Sequence, residues 1–186
     1  MQVQDVFTPP LTYDDLVATP DDGKRYEIID GELFVGASPR RVHQLTTKRV
    51  YDVLNDASEG ERIGTALFAP ADVRLSLHDI VQPDVLFILR DRLPIYTDIG
   101  LVEGPPDIVV EVLSPGSHTR DLVKKAKLYA WAGVPEYWQA DPFARTLRIL
   151  TLRASHYEAV KLVDGRVRST VLPHVNVDIA ALFANL

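Results

Sequence analysis

Pro106-Asp107-Ile108-Val109-Val110-Glu111-Val112-Leu113 sets an acid inside an apolar, β-branched run. Read by the pleat of a strand, Asp107, Val109, Glu111 and Leu113 point to one face, and Ile108, Val110 and Val112 to the other. A carboxylate on a face otherwise apolar is costly to bury unless it is paired or binds a cation. A second run, Val81-Gln82-Pro83-Asp84-Val85-Leu86-Phe87-Ile88-Leu89, has the same character and its own acid after a proline. Two such strands side by side form the centre of a sheet, and their acids can converge across the pair. Asp84 is the expected partner of Glu111 because it comes from a different strand. Asp107 lies on Glu111's own strand and reads as a residue that merely starts it.

The rest of the chain is consistent with an α/β (α+β) domain over 1–186 with a mixed central sheet flanked by helices. Hydrophobic residues make up 46% and charged residues 25% of the 186, as in ordinary globular proteins. No apolar run is long enough to span a membrane. Met1-Gln2-Val3-Gln4-Asp5 lacks the basic start and apolar core of a secretory leader, so a cytoplasmic location is expected. Without cysteine there is neither a disulfide framework nor a thiolate metal site. The formal net charge of −6 argues against a non-specific binder of phosphate backbones, which needs clustered Lys and Arg.

Working outward, Tyr13 to Ala18 reads as a short helix. Arg25-Tyr26-Glu27-Ile28-Ile29 and Glu32-Leu33-Phe34-Val35 flank Asp30-Gly31, a strong signal for an N-terminal β-hairpin. Ser38-Pro39 offers a cap residue and a proline for a helix start, and Val42, Leu45, Val50, Val53 and Leu54 carry helical spacing to about Asp56. Three strands are expected next, at Asp72 to Leu77, Val81 to Leu89 and Asp107 to Leu113, with a loop before Pro106. Ser114-Pro115-Gly116-Ser117-His118 is a turn into a helix from Thr119 to Ala132, closed by Gly133. Glu136 to Ala140, Thr146 to Leu152 and Tyr157 to Val163 read as strands, and Ile179 to Phe183 as a last helical turn.

On the helix before Gly133, Leu122, Val123, Ala126, Tyr129 and Ala130 form an apolar face at about 100° per residue. Lys124 and Lys127 fall opposite and read as solvated charges. Lys125 lies at the edge of the buried face. Two readings of it stand: it snorkels to water, or it meets the acids of the preceding strand. Asp121, one turn earlier, is another available partner. For Asp84 and Glu111 the alternatives are a structural pairing with Arg or Lys and a divalent metal site. Mg²⁺ takes one or two carboxylates with water and substrate oxygens, and the Val112 carbonyl is a possible addition. Glu27 is either a further acidic site residue or a cross-strand partner of Arg25 or Lys24. His43 shares a helical row with Val50 and Leu54, which fits a hydrogen-bonded residue at the core edge or a site role.

Together, Val81-Gln82-Pro83-Asp84-Val85, Pro106 to Pro115, Arg120-Asp121 and the run through Lys125 and Tyr129 to Gly133-Val134-Pro135-Glu136-Tyr137-Trp138 resemble the bacterial Uma-two family of endonuclease-like proteins. Tyr26-Glu27-Ile28-Ile29-Asp30-Gly31-Glu32-Leu33 resembles that family's opening hairpin, and His43-Gln44 its first-helix pair. The resemblance spans Tyr26 to Phe183. It implies the restriction-endonuclease-like fold of the PD-(D/E)XK superfamily, with Asp84 as the PD aspartate and Glu111 as the second acid. Leu113 stands where that superfamily usually has its lysine. The resemblance implies that the lysine has moved to the following helix, at Lys125. Lys124 occupies a place where relatives often carry Glu.

The expected activity is therefore a metal-dependent endonuclease cutting DNA with Mg²⁺ (or Mn²⁺) held by Asp84, Glu111 and Val112. Lys125 would be catalytic, and Glu27 and His43 would be further candidates. A homodimer is expected, since one chain offers one site for two strands. The alternatives are an inactive nuclease-fold module with a binding or regulatory role, and a hydrolase of smaller phosphodiesters. Gly116-Ser117-His118 lacks the serine-hydrolase elbow, the other histidines lack zinc-like spacing, and no phosphate-loop glycine pattern occurs.

Overall fold

The two apolar runs lie side by side. In the computed structural model, which describes residues 10–36, 38–59, 63–114 and 119–186, the chain begins with α1 (Tyr13–Val17) and the hairpin β1 (Arg25–Ile29) and β2 (Glu32–Gly36). Then come α2 (Arg41–Glu59), β3 (Gly64–Phe68), β4 (Val73–Ser76), β5 (Asp79–Val81), β6 (Val85–Leu89), a 3-10 helix (Arg90–Ile95), β7 (Val102–Glu103) and β8 (Ile108–Val112). The last part holds α3 (Thr119–Ala132), β9 (Glu136–Asp141), β10 (Thr146–Arg153), β11 (His156–Ala159), β12 (Arg166–Arg168), β13 (Asn176–Asp178) and α4 (Ile179–Leu182). Among the described residues, no helix is long and apolar enough to cross a membrane.

A six-stranded mixed sheet, in the order β11-β10-β9-β8-β6-β3, forms the centre. β8 lies antiparallel to β6 and parallel to β9, and every one of its residues is buried. The pleat divides it as its sequence requires. Ile108, Val110 and Val112 join Val50 and Leu54 of α2 in one core, whereas Val109 packs with Leu128 and Tyr129 of α3 and with Tyr137 in the other. Each fully buried Val or Ile contributes about 1.5–3 kcal/mol, so the strand tolerates one acid among apolar neighbours.

A five-stranded sheet, β2-β1-β5-β4-β7, stands beside it. Its hairpin turns on Asp30 and Gly31, with φ of 54° and 73°, the left-handed pair that a two-residue hairpin loop requires. β1 is tied to β5 through Ile28 and Ile80.

The expected strand from Val81 to Leu89 is two strands in two sheets. Pro83 has no N–H for a ladder, and the N–H of Gln82 goes to Glu27 Oε1 at 2.8 Å. The chain therefore leaves the first sheet after Val81 and enters the second at Val85. Asp84 sits at that crossing.

Other boundaries also differ from expectation. Pro39 disfavours helical backbone at Ser38, and Arg40 O is the acceptor for Gln44 N–H at 3.1 Å, so α2 starts at Arg41, and it continues to Glu59. β3 was not expected. Its Gly64 leaves no room for a side chain, because a Cβ there would collide with Ile88 O and the Phe87 ring. The expected loop before Pro106 contains the 3-10 helix and β7, and the β12–β13 pair adds a small sheet near the end. The strand expected to reach Val163 ends at Ala159, and Val163 instead bridges to Arg166. Of the turn expected at Ser114 to His118, residues 115–118 lie outside the described residues.

Candidate active site

Asp84 reaches Glu111 from the neighbouring strand. The β6–β8 register pairs Val85 with Val110, and one further step sets Asp84 opposite Glu111. Asp84 is 2% exposed, and each of its oxygens is held. Oδ1 accepts from Arg25 Nη1 at 2.5 Å. Oδ2 accepts from the N–H of Val112 at 2.7 Å and stands 3.2 Å from His43 Nε2. Burial alone would raise its pKa. The hydrogen bond and charge of His43, the Arg25 guanidinium and the Val112 N–H outweigh burial and hold it below the ordinary carboxylate value.

Glu111 is buried on the α3 side of β8. Its Oε1 accepts from Tyr129 Oη at 2.7 Å and from Lys125 Nζ at 3.0 Å. Lys125 also donates to Glu27 Oε1 at 2.8 Å. One ammonium thus serves two carboxylates beside a third. Burial, opposed by Lys125 but reinforced by the charges of Asp84 and Glu27, pushes Glu111 up to about 7. Lys125 moves upward as well. Burial would lower it, but the charges and hydrogen bonds of Glu111 and Glu27 prevail, and the amine stays protonated. The two directions agree physically, because two acids compete for one cation and one of them takes up a proton readily.

The five side chains singled out in the sequence, Asp84, Glu111, Lys125, Glu27 and His43, therefore meet at one place. They line one cleft of about 580 Å³, bounded by the hairpin, the start of α2 and α3. A shallower groove of about 640 Å³ lies between α2 and the C-terminal segment. Buried charge rather than size singles out the cleft.

Several details correct the sequence reading. Glu27 pairs with neither Lys24 nor Arg25: Lys24 bonds to Asp22, and Arg25 crosses to Asp84. Lys124 is not simply solvated. It stands 3.3 Å from Asp30 and 3.8 Å from Glu32 at the hairpin tip and 4.7 Å above the Phe34 ring. Lys127 is exposed, as expected. The side chains of Arg120 and Asp121 lie outside the described residues. Asp107 is buried at the far end of β8, where it accepts from Arg92 Nη1 at 2.7 Å and the Leu89 N–H at 2.8 Å.

Sequence reasoning missed two contributors. Arg25 was considered only as a partner for Glu27, and Tyr129 only as part of an apolar face. A tyrosine one turn from a buried lysine was the available signal, because a buried phenol needs a partner. Tyr137 packs behind it, with ring centres 5.1 Å apart.

Hard oxygen donors suit Mg²⁺ or Mn²⁺, and three carboxylates, Glu27, Asp84 and Glu111, meet in this pocket beside Lys125 and Arg25, the two Lys and Arg side chains that bond to them directly. The donor chemistry, carboxylate oxygens from two neighbouring strands, fits a divalent ion at Asp84 and Glu111. Among the described residues, no group of three or more His, Asp or Glu side chains forms a ready-made cage. Mg²⁺ does not need one, because water and substrate phosphate commonly fill its remaining positions.

No curated protein matches the chain in sequence. Among solved structures, the fold is similar to a crystal structure from Anabaena variabilis described as a “putative nuclease belonging to DUF820”. The two are 21% identical over 94% of this chain and 98% of that one, with a TM-score of 0.79. The likeness shows the nuclease-like fold. The profile of Uma2, described as “Putative restriction endonuclease”, matches residues 12–180, and the chain belongs to that family.

Proposed function

We propose that this cleft hydrolyses phosphodiester bonds in DNA as a metal-dependent endonuclease. The observation that carries the reading is the Lys125 ammonium held between Glu27 and Glu111, with Asp84 across the strand pair. Asp84 and Glu111, with the Val112 carbonyl, would hold Mg²⁺ or Mn²⁺. Such an ion supplies Lewis-acid polarisation of the phosphate and a lowered pKa for the attacking water.

The chain's own groups do the remaining work. Lys125, kept protonated and aimed by Glu27, orients the water or stabilises the negative charge that builds on phosphorus. Val112 N–H and His43 fix the Asp84 carboxylate, and Tyr129 fixes that of Glu111. Low exposure of these groups strengthens each electrostatic contact. Cutting both strands of a duplex requires two such sites, so the active form is read as a homodimer.

The test is cleavage of plasmid and oligonucleotide DNA by purified protein with Mg²⁺ or with a chelator. Cleavage that needs the metal and disappears in Glu111→Ala and Lys125→Ala supports the reading. Full activity in Glu111→Ala sinks it.

A second reading has one observation in its favour: both oxygens of Asp84 are already satisfied by protein donors. A nuclease fold retained as a non-catalytic binding module would keep such a network for stability alone. Calorimetry separates the two, since that module would bind no Mg²⁺ or Mn²⁺ at millimolar concentration.

A further inference from the structure

A polyanionic substrate needs positive charge, and the cleft has little to spare. Of its lining cations, Arg25 is committed to Asp84, Lys125 to Glu27 and Glu111, and Lys124 to Asp30 and Glu32. Arg40 alone among those lysines and arginines carries no ion pair with described residues. The net charge of −6 makes general attraction to DNA weak. Affinity has to come from cations placed beside the site.

The central sheet supplies them in one row. Register sets Asp84 opposite Glu111, Glu111 opposite Gln139, and Gln139 opposite Arg148. Leu150 pairs with Ala159, and the Val160 N–H bonds to Ile149 O at 2.8 Å. β11 ends at Ala159, and its register carried on past the Val160 contact would set Lys161 beside Arg148. Residues paired across a sheet share a face, so the row runs from the acids through an amide to two cations. Arg148 Nη1 donates to Gln139 Oε1 at 3.3 Å, which leans the guanidinium back toward the site.

Arg148 and Lys161 are exposed, and among the described residues neither pairs with a carboxylate. Asp141 is the nearest acid on that face of β9. Its Oδ1 is engaged by the N–H groups of Phe143 and Ala144 at 2.8 and 2.9 Å.

We propose that Arg148 and Lys161 form a backbone track that holds the DNA strand on one side of the cleft. Adjacent strands are about 4.8 Å apart, so Arg148 and Lys161 lie about 10 and 14 Å along the row from Glu111. At about 3.4 Å per stacked nucleotide, that is a reach of three to four nucleotides. These cations touch phosphates and carry no sequence information. The DNA strand follows the direction of the row from the exposed β10 and β11 side, and the phosphate to be cut lies at the acid end.

This proposal rests on the nuclease reading, and its test separates the two. Binding of a fluorescent single-stranded oligodeoxynucleotide is followed by anisotropy in chelator, where no cleavage occurs. Arg148→Ala and Lys161→Ala are each expected to weaken binding several-fold, and Arg148→Glu with Lys161→Glu more than ten-fold. The slope of log affinity against log salt should fall by about 0.7 for each phosphate contact removed. Arg166→Ala, which removes a cation paired with Asp178 on the separate β12–β13 sheet, should leave binding unchanged. If the wild type binds and cuts DNA and both alanine variants match it at every salt concentration, the track is wrong and the nuclease reading survives. If the wild type neither binds nor cuts DNA, both are overturned.

Discussion

Lys125 Nζ lies 3.0 Å from Glu111 Oε1 although the two residues belong to different layers, one on α3 and one on β8. The two residues are 14 apart in sequence, one on a strand and the other on the helix that follows it. Glu27 completes it from the hairpin of the other sheet, at 2.8 Å. One ammonium therefore ties a helix to both sheets, at the place where the acids concentrate.

Removing that ammonium should cost stability and activity separately. Lys125→Met leaves buried Glu111 and half-buried Glu27 without their cation, and breaking a buried pair costs about 3–5 kcal/mol. Adding Glu27→Gln removes one of the uncompensated charges and should restore part of the stability without restoring cleavage. Urea unfolding of the single and double variants, beside a DNA-cleavage assay, checks this. Recovery of both together would mean that Lys125 acts only on the fold.

Asp84 and Asp107 both follow a proline, yet only one stands in the cleft. Asp107 caps the far end of β8, bonded to Arg92 and the Leu89 N–H. Asp107→Asn should therefore lower the melting temperature while keeping metal-dependent cleavage in the remaining folded protein. Asp84→Asn should abolish cleavage. The comparison is made at a temperature where both variants are folded by circular dichroism, and loss of cleavage in Asp107→Asn would reverse the assignment.

What the sequence made legible followed local periodicity. The pleat of β8 assigned Glu111 its face, the helical period of α3 put Lys125 at the edge of the core, and Asp30-Gly31 named its turn. What it hid depended on where the chain changes layers. Pro83 divides one apolar run between two sheets, and nothing short of the three-dimensional path shows that β1 then lies against the crossing. For that reason Arg25 and Glu27, adjacent to the same hairpin rung, could not be matched with Asp84 and Lys125 from spacing. His43 was ambiguous for the same reason, since a helix period gives its face but not which strand passes beneath. β3 escaped notice because Gly64-Thr65-Ala66 has neither the bulk nor the alternation of a strand. Its glycine serves the close approach to Phe87.

Glu136 offers a control in which a buried acid has no part in the chemistry. Its carboxylate is fully buried and accepts from Trp138 Nε1 at 2.6 Å, Ser169 Oγ at 2.7 Å, and the Thr170 N–H and hydroxyl at 2.5 and 2.7 Å. It ties the start of β9 to the segment after β12. Glu136→Ala strands those donors in the core, and each buried unsatisfied group costs about 1–3 kcal/mol. We expect a loss of at least about 3 kcal/mol by urea unfolding, with Mg²⁺ affinity unchanged in the folded fraction. A matching loss of metal affinity at low urea would tie this anchor to the cleft.

The pH dependence has a definite sign. Burial, with the charges of Asp84 and Glu27, raises Glu111 from 4.5 to about 7 in the folded protein. The folded state then binds its proton more tightly than the unfolded chain does. In metal-free protein, this group's contribution is greatest below about pH 4.5 and declines as pH rises to about 7, by roughly 3 kcal/mol. Wild type should lose that stability relative to Glu111→Gln, which cannot titrate. A metal competes for the same carboxylate, so Mg²⁺ affinity should rise about tenfold per pH unit below 7 and level off above it. The Tyr129 hydroxyl stabilises the ionised carboxylate, so Tyr129→Phe should move the midpoint of that rise upward. Isothermal titration with Mg²⁺ across the range reads both effects. An affinity flat from about pH 5 to 8 would remove Glu111 from the metal site, whereas an unmoved midpoint in Tyr129→Phe would leave Tyr129 a packing residue only.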